Sequence, residues 1–201
     1  MPPRFEQYTT HRQSRRLDDW DYTQAAAYFV TICTRDRVCL FGEVETGRMG
    51  LNRYGRIAAE EWRRTANLRD SVALDAFIVM PNHVHGIIVI QTDGNGGPDV
   101  LRGDTARRVA TATTTDGAGS SSDRQCGRPQ AGSLGTIVGA YKSAVTRCIN
   151  QHRSVSGESV WQRNYHDHII RNDEEWRRIR QYIRTNPARW HCDRLYHSAD
   201  P

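Results

Sequence analysis

Two imidazoles stand two residues apart in His83-Val-His85. Residues i and i+2 of a β-strand project from one face, so a strand here would let both rings converge on one metal ion. The same pair also suits two surface histidines beside a turn, and a bare His-x-His leaves both readings open. That face would continue as Ile87 and Val89, a dry floor beside a polar entrance. A histidine-triad nucleotide hydrolase also alternates histidines along a strand, but it wants a third one where Ile87 stands. The second pair, His166-Asp-His168, is flanked by Arg163, Asn164 and Arg171, which suits an exposed edge better than a built metal site. His191, Cys192 and His197 fit no closed four-ligand zinc spacing and read as a solvated tail.

Tyr182 and Asn186 are four residues apart, so a helix would stack them on one face. The neighbouring stripe of Trp176, Ile179 and Ile183 would dock that helix, and a tyrosine beside such a stripe is commonly core. Asn186 is a poor core residue unless its amide finds a specific partner.

Positioning these groups requires the elements around them. The β-branched and aromatic run Ala27-Tyr-Phe-Val-Thr-Ile-Cys-Thr34 reads as a first strand. Leu51, Tyr54, Ile57, Ala58, Glu61 and Trp62 recur at helical spacing and predict a helix over about 51–66. Residues 74–90 read as two apolar strands folded about Pro81-Asn82. Leu134, Ile137, Val138, Tyr141, Ala144, Val145, Cys148 and Ile149 mark a second amphipathic helix, with Ser133 as its N-cap. Residues 161–170 alternate enough for another strand. Asn172 then caps a last helix, with Glu175 completing a box-like start, and Pro187 should end it by biasing Asn186 away from helical geometry. The order β-α-β-β-α-β-α predicts an α+β fold, a ferredoxin-like antiparallel sheet with helices on one face and one extra C-terminal helix.

The chain has 201 residues, enough for one domain, and only 37% of them are hydrophobic. Residues 92–132 hold 8 of the 16 glycines and 9 Ser/Thr with no aromatic residue, and read as a flexible insertion without a core. The expected organisation is a basic arm over 1–26, one domain over 27–190 interrupted by that insertion, and a tail over 191–201. No window approaches the roughly 20 apolar residues of a membrane span. The opening Met1-Pro-Pro-Arg-Phe-Glu-Gln has no apolar signal core, so secretion is not expected, and five scattered cysteines (33, 39, 126, 148, 192) without a Cys-x-x-Cys argue against a disulfide scaffold. A reducing cytoplasm is the expected setting. The net charge of +5 is carried almost entirely by arginine, whose planar fork suits phosphate. His11-Arg-Gln-Ser-Arg-Arg16 is a basic segment without apolar periodicity.

Phe77-Ile-Val-Met-Pro-Asn-His-Val-His-Gly-Ile-Ile-Val-Ile90 resembles the HUH segment (His, bulky apolar, His) of single-tyrosine transposases. Val160-Trp-Gln-Arg-Asn-Tyr165, Ile169-Ile-Arg-Asn172 and Tyr182-Ile-Arg-Thr-Asn-Pro187 resemble their C-terminal segment. With Ala27–Thr34, Cys39-Leu-Phe-Gly42 and Gly139-Ala-Tyr-Lys-Ser-Ala144, the branch most resembled is that of REP-associated tyrosine transposases. Separated blocks in the right order carry this resemblance over roughly residues 12–190; the length of the 92–132 insertion departs from it.

The resemblance implies a nuclease and strand transferase for single-stranded or hairpin-forming repeat DNA, working as a monomer or homodimer. It implies His83, His85 and Asn186 as ligands of a divalent metal, Mg²⁺ or Mn²⁺, and Tyr182 as the nucleophile that forms a 5′-phosphotyrosine. Mg²⁺ or Mn²⁺ suits such a site better than Zn²⁺, because phosphate oxygens would complete the shell. It also implies DNA contacts from the arm, through Arg12, Arg15 and Arg16. Lys142, Arg147, Arg163 and Arg171 are placed to track phosphates. The competing expectation is a non-catalytic DNA-binding protein that keeps the fold. Tyr165, a second tyrosine without a partner at fixed spacing, suits packing or base stacking.

Overall fold

A computed structural model describes residues 20–91, 132–193 and 195–196. Arg12, Arg15, Arg16 and nearly all of the 92–132 insertion lie outside the described residues. Six strands and three α-helices follow in order: β1 (Ala26–Cys33), β2 (Gly42–Glu45), β3 (Arg48–Leu51), α1 (Arg53–Asn67), β4 (Val72–Met80), β5 (His83–Ile90), α2 (Leu134–Arg153), β6 (His166–Ile170) and α3 (Asp173–Thr185). Four strands form one antiparallel sheet in the order β4-β5-β1-β6, the ferredoxin-like arrangement expected from the element order.

Alternation along the strands divides the core into two layers. Tyr28, Val30 and Ile32 of β1, with Val84 and Ile88 of β5, face α1 and α2 and meet Ala58, Trp62, Ile137, Val138 and Tyr141. Ala27, Ile87 and Val89 face the other way, where α3 covers them with Trp176, Ile179 and Ile183. Two helices therefore share one face and the C-terminal helix occupies the opposite one. Gly86 serves the first layer. A Cβ there would lie 2.2 Å from Trp62, so only glycine lets the indole pack directly against β5.

The helix starts are set by short side chains. Asn52, Ser133 and Asn172 accept hydrogen bonds from the backbone N–H of Gly55, Thr136 and Glu175. α1 begins two residues later than its periodicity suggests, because Leu51 closes the small β2–β3 hairpin, which the sequence reading missed. Glu175 departs from a capping box: its carboxylate takes the backbone N–H of Arg171 and the Nε2 of His168. His168 thus helps anchor the start of α3, a structural use for one member of the second histidine pair.

β4 carries a bulge between Leu74 and Phe77. There Asp75 receives Trp176 Nε1 and, at 2.6 Å, Arg180 Nε, both from α3. This tie and the apolar stripe fix the helix against the sheet.

Three expectations need correcting. The strand predicted over 161–170 is confined to His166–Ile170. Trp161 makes a single bridge to Thr34, and the carbonyls of Gln162 and Arg163 turn aside to accept from Lys142 Nζ at 2.6 and 2.9 Å. Asn186 keeps helical geometry (φ −56°, ψ −43°) although Pro187 follows it. Pro187 opens a 3₁₀ turn, Pro187–Cys192, whose first position does not need the missing N–H. Finally, the stretch read as a solvated tail folds back in part: His191 and Cys192 are exposed, but Leu195 is buried and its carbonyl accepts from Asn82.

Candidate active site

The register places His83 opposite Cys33 and Met80, and His85 opposite Thr31 and Ile78. Both histidines therefore point to the α3 face, as Ile87 and Val89 do, and their ring centroids lie 4.3 Å apart. The polar entrance expected around them is closed: His83 is 0% and His85 3% exposed. α3 and the 3₁₀ turn cover them, with Trp190 beside His83 and Tyr182 beside His85.

The hydrogen bonds assign the His83 tautomer. Asn82 donates through Nδ2 to the carbonyls of Arg37 and Leu195, so its Oδ1 is the end that faces His83 Nδ1 at 2.8 Å. An amide oxygen only accepts, so His83 carries its proton on Nδ1. The lone pair is left on Nε2, which is buried without a hydrogen-bond partner. His85 Nδ1 meets Thr31 Oγ1 at 2.9 Å, and its Nε2 meets the Tyr182 hydroxyl at 3.3 Å.

Burial holds the His83 ring well below the ordinary histidine range, and the neighbouring His85 and Arg37 add to this. Burial also lowers His85, to about 4, with the Asp193 carboxylate opposing. Both rings are thus neutral near pH 7, the form that binds metals. Tyr182 is pushed the other way: burial and the charge of Asp193 raise its phenol above the ordinary value, and the Asn186 amide opposes the rise. The hydroxyl stays protonated near neutral pH.

α3 delivers the remaining groups. Tyr182 is 38% exposed, so its ring is reachable from solvent, whereas Asn186 at the helix end is 2% exposed. Asn186 donates through Nδ2 to Asp193 Oδ2 at 3.0 Å, and its Oδ1 is buried without a hydrogen-bond partner. One nitrogen from each histidine and a carboxylate oxygen of Asp193 all lie within 4.8 Å of one another. His83 Nε2 and Asn186 Oδ1 are thus two buried acceptor atoms without hydrogen-bond partners, and neutral imidazole nitrogens with an amide or a carboxylate oxygen are donor types that could hold a divalent ion. Asp193 is the residue sequence reasoning missed. No spacing links it to the histidines, and its position beyond Pro187 read as tail.

Comparison with known proteins agrees with this architecture. No family model matches the chain. It is 33% identical over 189 residues to an uncharacterized protein of Haemophilus influenzae, covering 92% of this chain and 93% of that one, and belongs to one family with it. A solved structure of a REP-associated tyrosine transposase bound to a REP hairpin superposes with a TM-score of 0.53 at 16% identity, over 90% of this chain and 74% of that one. The chain has the fold of a REP-associated tyrosine transposase.

On this transposase fold the basic residues named from sequence divide into groups. Lys142, Arg147 and Arg163 line an open concavity of about 430 Å³ between α2 and the 157–163 segment. The Lys142 ammonium, already bonded to two carbonyls, pins that segment, while Arg147 and Arg163 are exposed. Arg171 is exposed at the start of α3, apart from this concavity. Tyr165 packs against the core layer of α1 and α2, on the side of the sheet away from the histidines. No helix among the described residues is long and apolar enough to cross a membrane.

Proposed function

We propose that this protein is a metal-dependent single-stranded DNA endonuclease and strand transferase that acts on hairpin-forming DNA through a 5′-phosphotyrosine. The observation that carries this reading is the placement of the Tyr182 hydroxyl 3.3 Å from His85 Nε2, beside the unpartnered His83 Nε2 and Asn186 Oδ1. On this reading the attacking oxygen would stand next to one of the nitrogens that hold the cation.

His83, His85 and Asn186 would hold the cation. When bound, a divalent ion polarises a phosphodiester and offsets charge on its oxygens. The rest is work for the chain. α3 presents Tyr182 Oη toward the phosphate while Phe29, edge-on to the phenol at 6.0 Å, limits its swing. The tyrosine oxygen forms a bond to phosphorus as the bond to the 3′-oxygen breaks. The proton lost by the phenol is gained, through solvent, by the departing 3′-oxygen. The freed 3′-hydroxyl can reverse the step on another strand. Holding attacker and phosphate in one geometry contributes several kcal/mol, on the order of 7 or more in well-aligned cases.

Hairpin DNA is the substrate class because the solved transposase of this fold holds a REP hairpin. Exposed Arg147, Arg163 and Arg171 supply phosphate contacts, and Arg12, Arg15 and Arg16 of the arm add to them. Mg²⁺ or Mn²⁺ is the metal proposed. The test is incubation of the full chain with a hairpin oligonucleotide bearing single-stranded flanks, with and without Mn²⁺. A protein–DNA adduct that requires Mn²⁺ and is absent from Tyr182→Phe is expected. DNA binding without any adduct would favour the non-catalytic binding protein and sink the enzymatic reading.

A further inference from the structure

We propose that Asp193 is a positioning residue: its carboxylate holds the Asn186 amide so that oxygen, and not nitrogen, is presented to the cation. The inference rests on the metal reading above and gives Asp193 a role other than ligation.

An asparagine amide has two ends of nearly equal size and opposite hydrogen-bonding sense. Only the contacts around it decide which end points where. Asn186 Nδ2 lies 3.0 Å from Asp193 Oδ2, and a carboxylate can only accept, so the nitrogen belongs at that end. The opposite end, Oδ1, is then the buried acceptor without a partner. Asp193 is itself fixed, because its Oδ1 accepts from the backbone N–H of Leu195 at 2.8 Å. The Leu195 carbonyl in turn accepts from Asn82 Nδ2 at 2.6 Å, and Asn82 Oδ1 faces His83 Nδ1. The same short segment thus stands behind the orientation of two ligands, Asn186 and His83. Such outer contacts are typically worth 10- to 100-fold in metal affinity.

Direct ligation by Asp193 is the competing role, since a carboxylate oxygen lies within 4.8 Å of the histidine nitrogens. Two features favour positioning. Each oxygen of the carboxylate already accepts a hydrogen bond from the chain. Three neutral ligands would also leave the full double charge of the cation for the phosphate, whereas a carboxylate would cancel part of it.

The experiment is titration of the metal-free full chain with Mn²⁺, without DNA, read by calorimetry and by the resonance signal of unbound Mn²⁺. Asp193→Ala should bind about 10- to 100-fold more weakly than wild type. Asp193→Asn still offers an oxygen to Asn186 Nδ2 and should stay within about threefold of wild type. In the Asn186→Ala background, Asp193→Ala should cause a much smaller further loss, because the ligand it holds directly is gone and only its indirect support of His83 through Leu195 and Asn82 remains. Wild-type affinity in Asp193→Ala overturns the proposal. So does an Asp193→Asn as weak as Asp193→Ala, or a full additional loss in the double variant; both mark Asp193 as a ligand. If Asp193→Ala does not fold, Asp193→Ser takes its place. Failure of the metal reading looks different: wild type would not bind Mn²⁺, or His83→Ala would bind it as wild type does.

Discussion

Tyr182 Oη lies 3.3 Å from His85 Nε2, joining the last helix to a central strand 97 residues earlier in the chain. Nδ1 of His85 is engaged by Thr31 Oγ1, so the phenol meets the same ring nitrogen, Nε2, that a cation would take. Tyr165 lies across the sheet from this contact, packed in the other core layer. Peptide mapping of the DNA adduct should therefore recover a modified peptide containing Tyr182; a modified Tyr165 peptide would refute the assignment.

The burial of the histidine pair changes what its truncation should do. Exposed histidines could be cut to alanine at little cost, but His83 and His85 are inside the fold. His83→Ala should lose about 2–4 kcal/mol of stability from the vacated volume and the stranded Asn82 amide. It should also lose the stabilisation by Mn²⁺, which for the wild type reaches about 2.7 kcal/mol at 100 times the dissociation constant. Thermal melts with and without Mn²⁺ check both parts. A metal-induced shift that persists in His83→Ala would remove His83 from the ligand set.

The same burial predicts an acid-sensitive fold. Both histidines have folded-state pKa values below the unfolded value near 6.5, so the unfolded chain binds protons first as pH falls. Their contribution is present above about pH 6.5 and is lost between there and the folded values. For His85, at about 4, the loss amounts to about 3 kcal/mol. Denaturant melts at pH 7.5, 5.5 and 4 should show stability falling across this window, with a shallower fall in His85→Phe. An equal slope in that variant would exclude His85 as a source.

Asp75 should matter beyond its own strand. It sits in the β4 bulge and takes Trp176 and Arg180 from α3, so Asp75→Ala leaves a buried indole N–H unpaired and frees the helix. A loss of about 1–3 kcal/mol is expected. Because α3 carries Tyr182 and Asn186, adduct formation at saturating DNA should slow while DNA affinity stays near that of wild type. An unchanged rate would show that the apolar stripe alone positions the helix.

Replacing residues 95–130 by a short Gly/Ser linker should preserve the melting temperature within a few degrees and keep basal adduct formation. Loop length enters the closure cost only logarithmically. An insoluble product would show that this stretch contributes to the core.

Much of the framework is legible in the sequence because its determinants are local. The alternation through β1 and β5, the Pro81-Asn82 turn, the caps Ser133 and Asn172, and the four-residue step from Tyr182 to Asn186 each depend on residues within a turn or two. The element order then suffices for the ferredoxin-like sheet, since few topologies satisfy it. The sequence read less well where local preference was outweighed. Residues 161–165 have strand character, yet the carbonyls of Gln162 and Arg163 accept from Lys142 and not from a neighbouring strand.

Tertiary structure alone decides what surrounds the histidines. Their burial depends on α3 crossing the far face of the sheet, and the tautomer of His83 depends on an Asn82–Leu195 contact spanning 113 residues. The end of the Asn186 amide that faces inward depends on Asp193, in a segment whose composition looks like tail. No periodicity encodes these contacts. They arise because buried polar groups must find partners once the chain has closed around them, and the partner is whichever group the fold brings within reach.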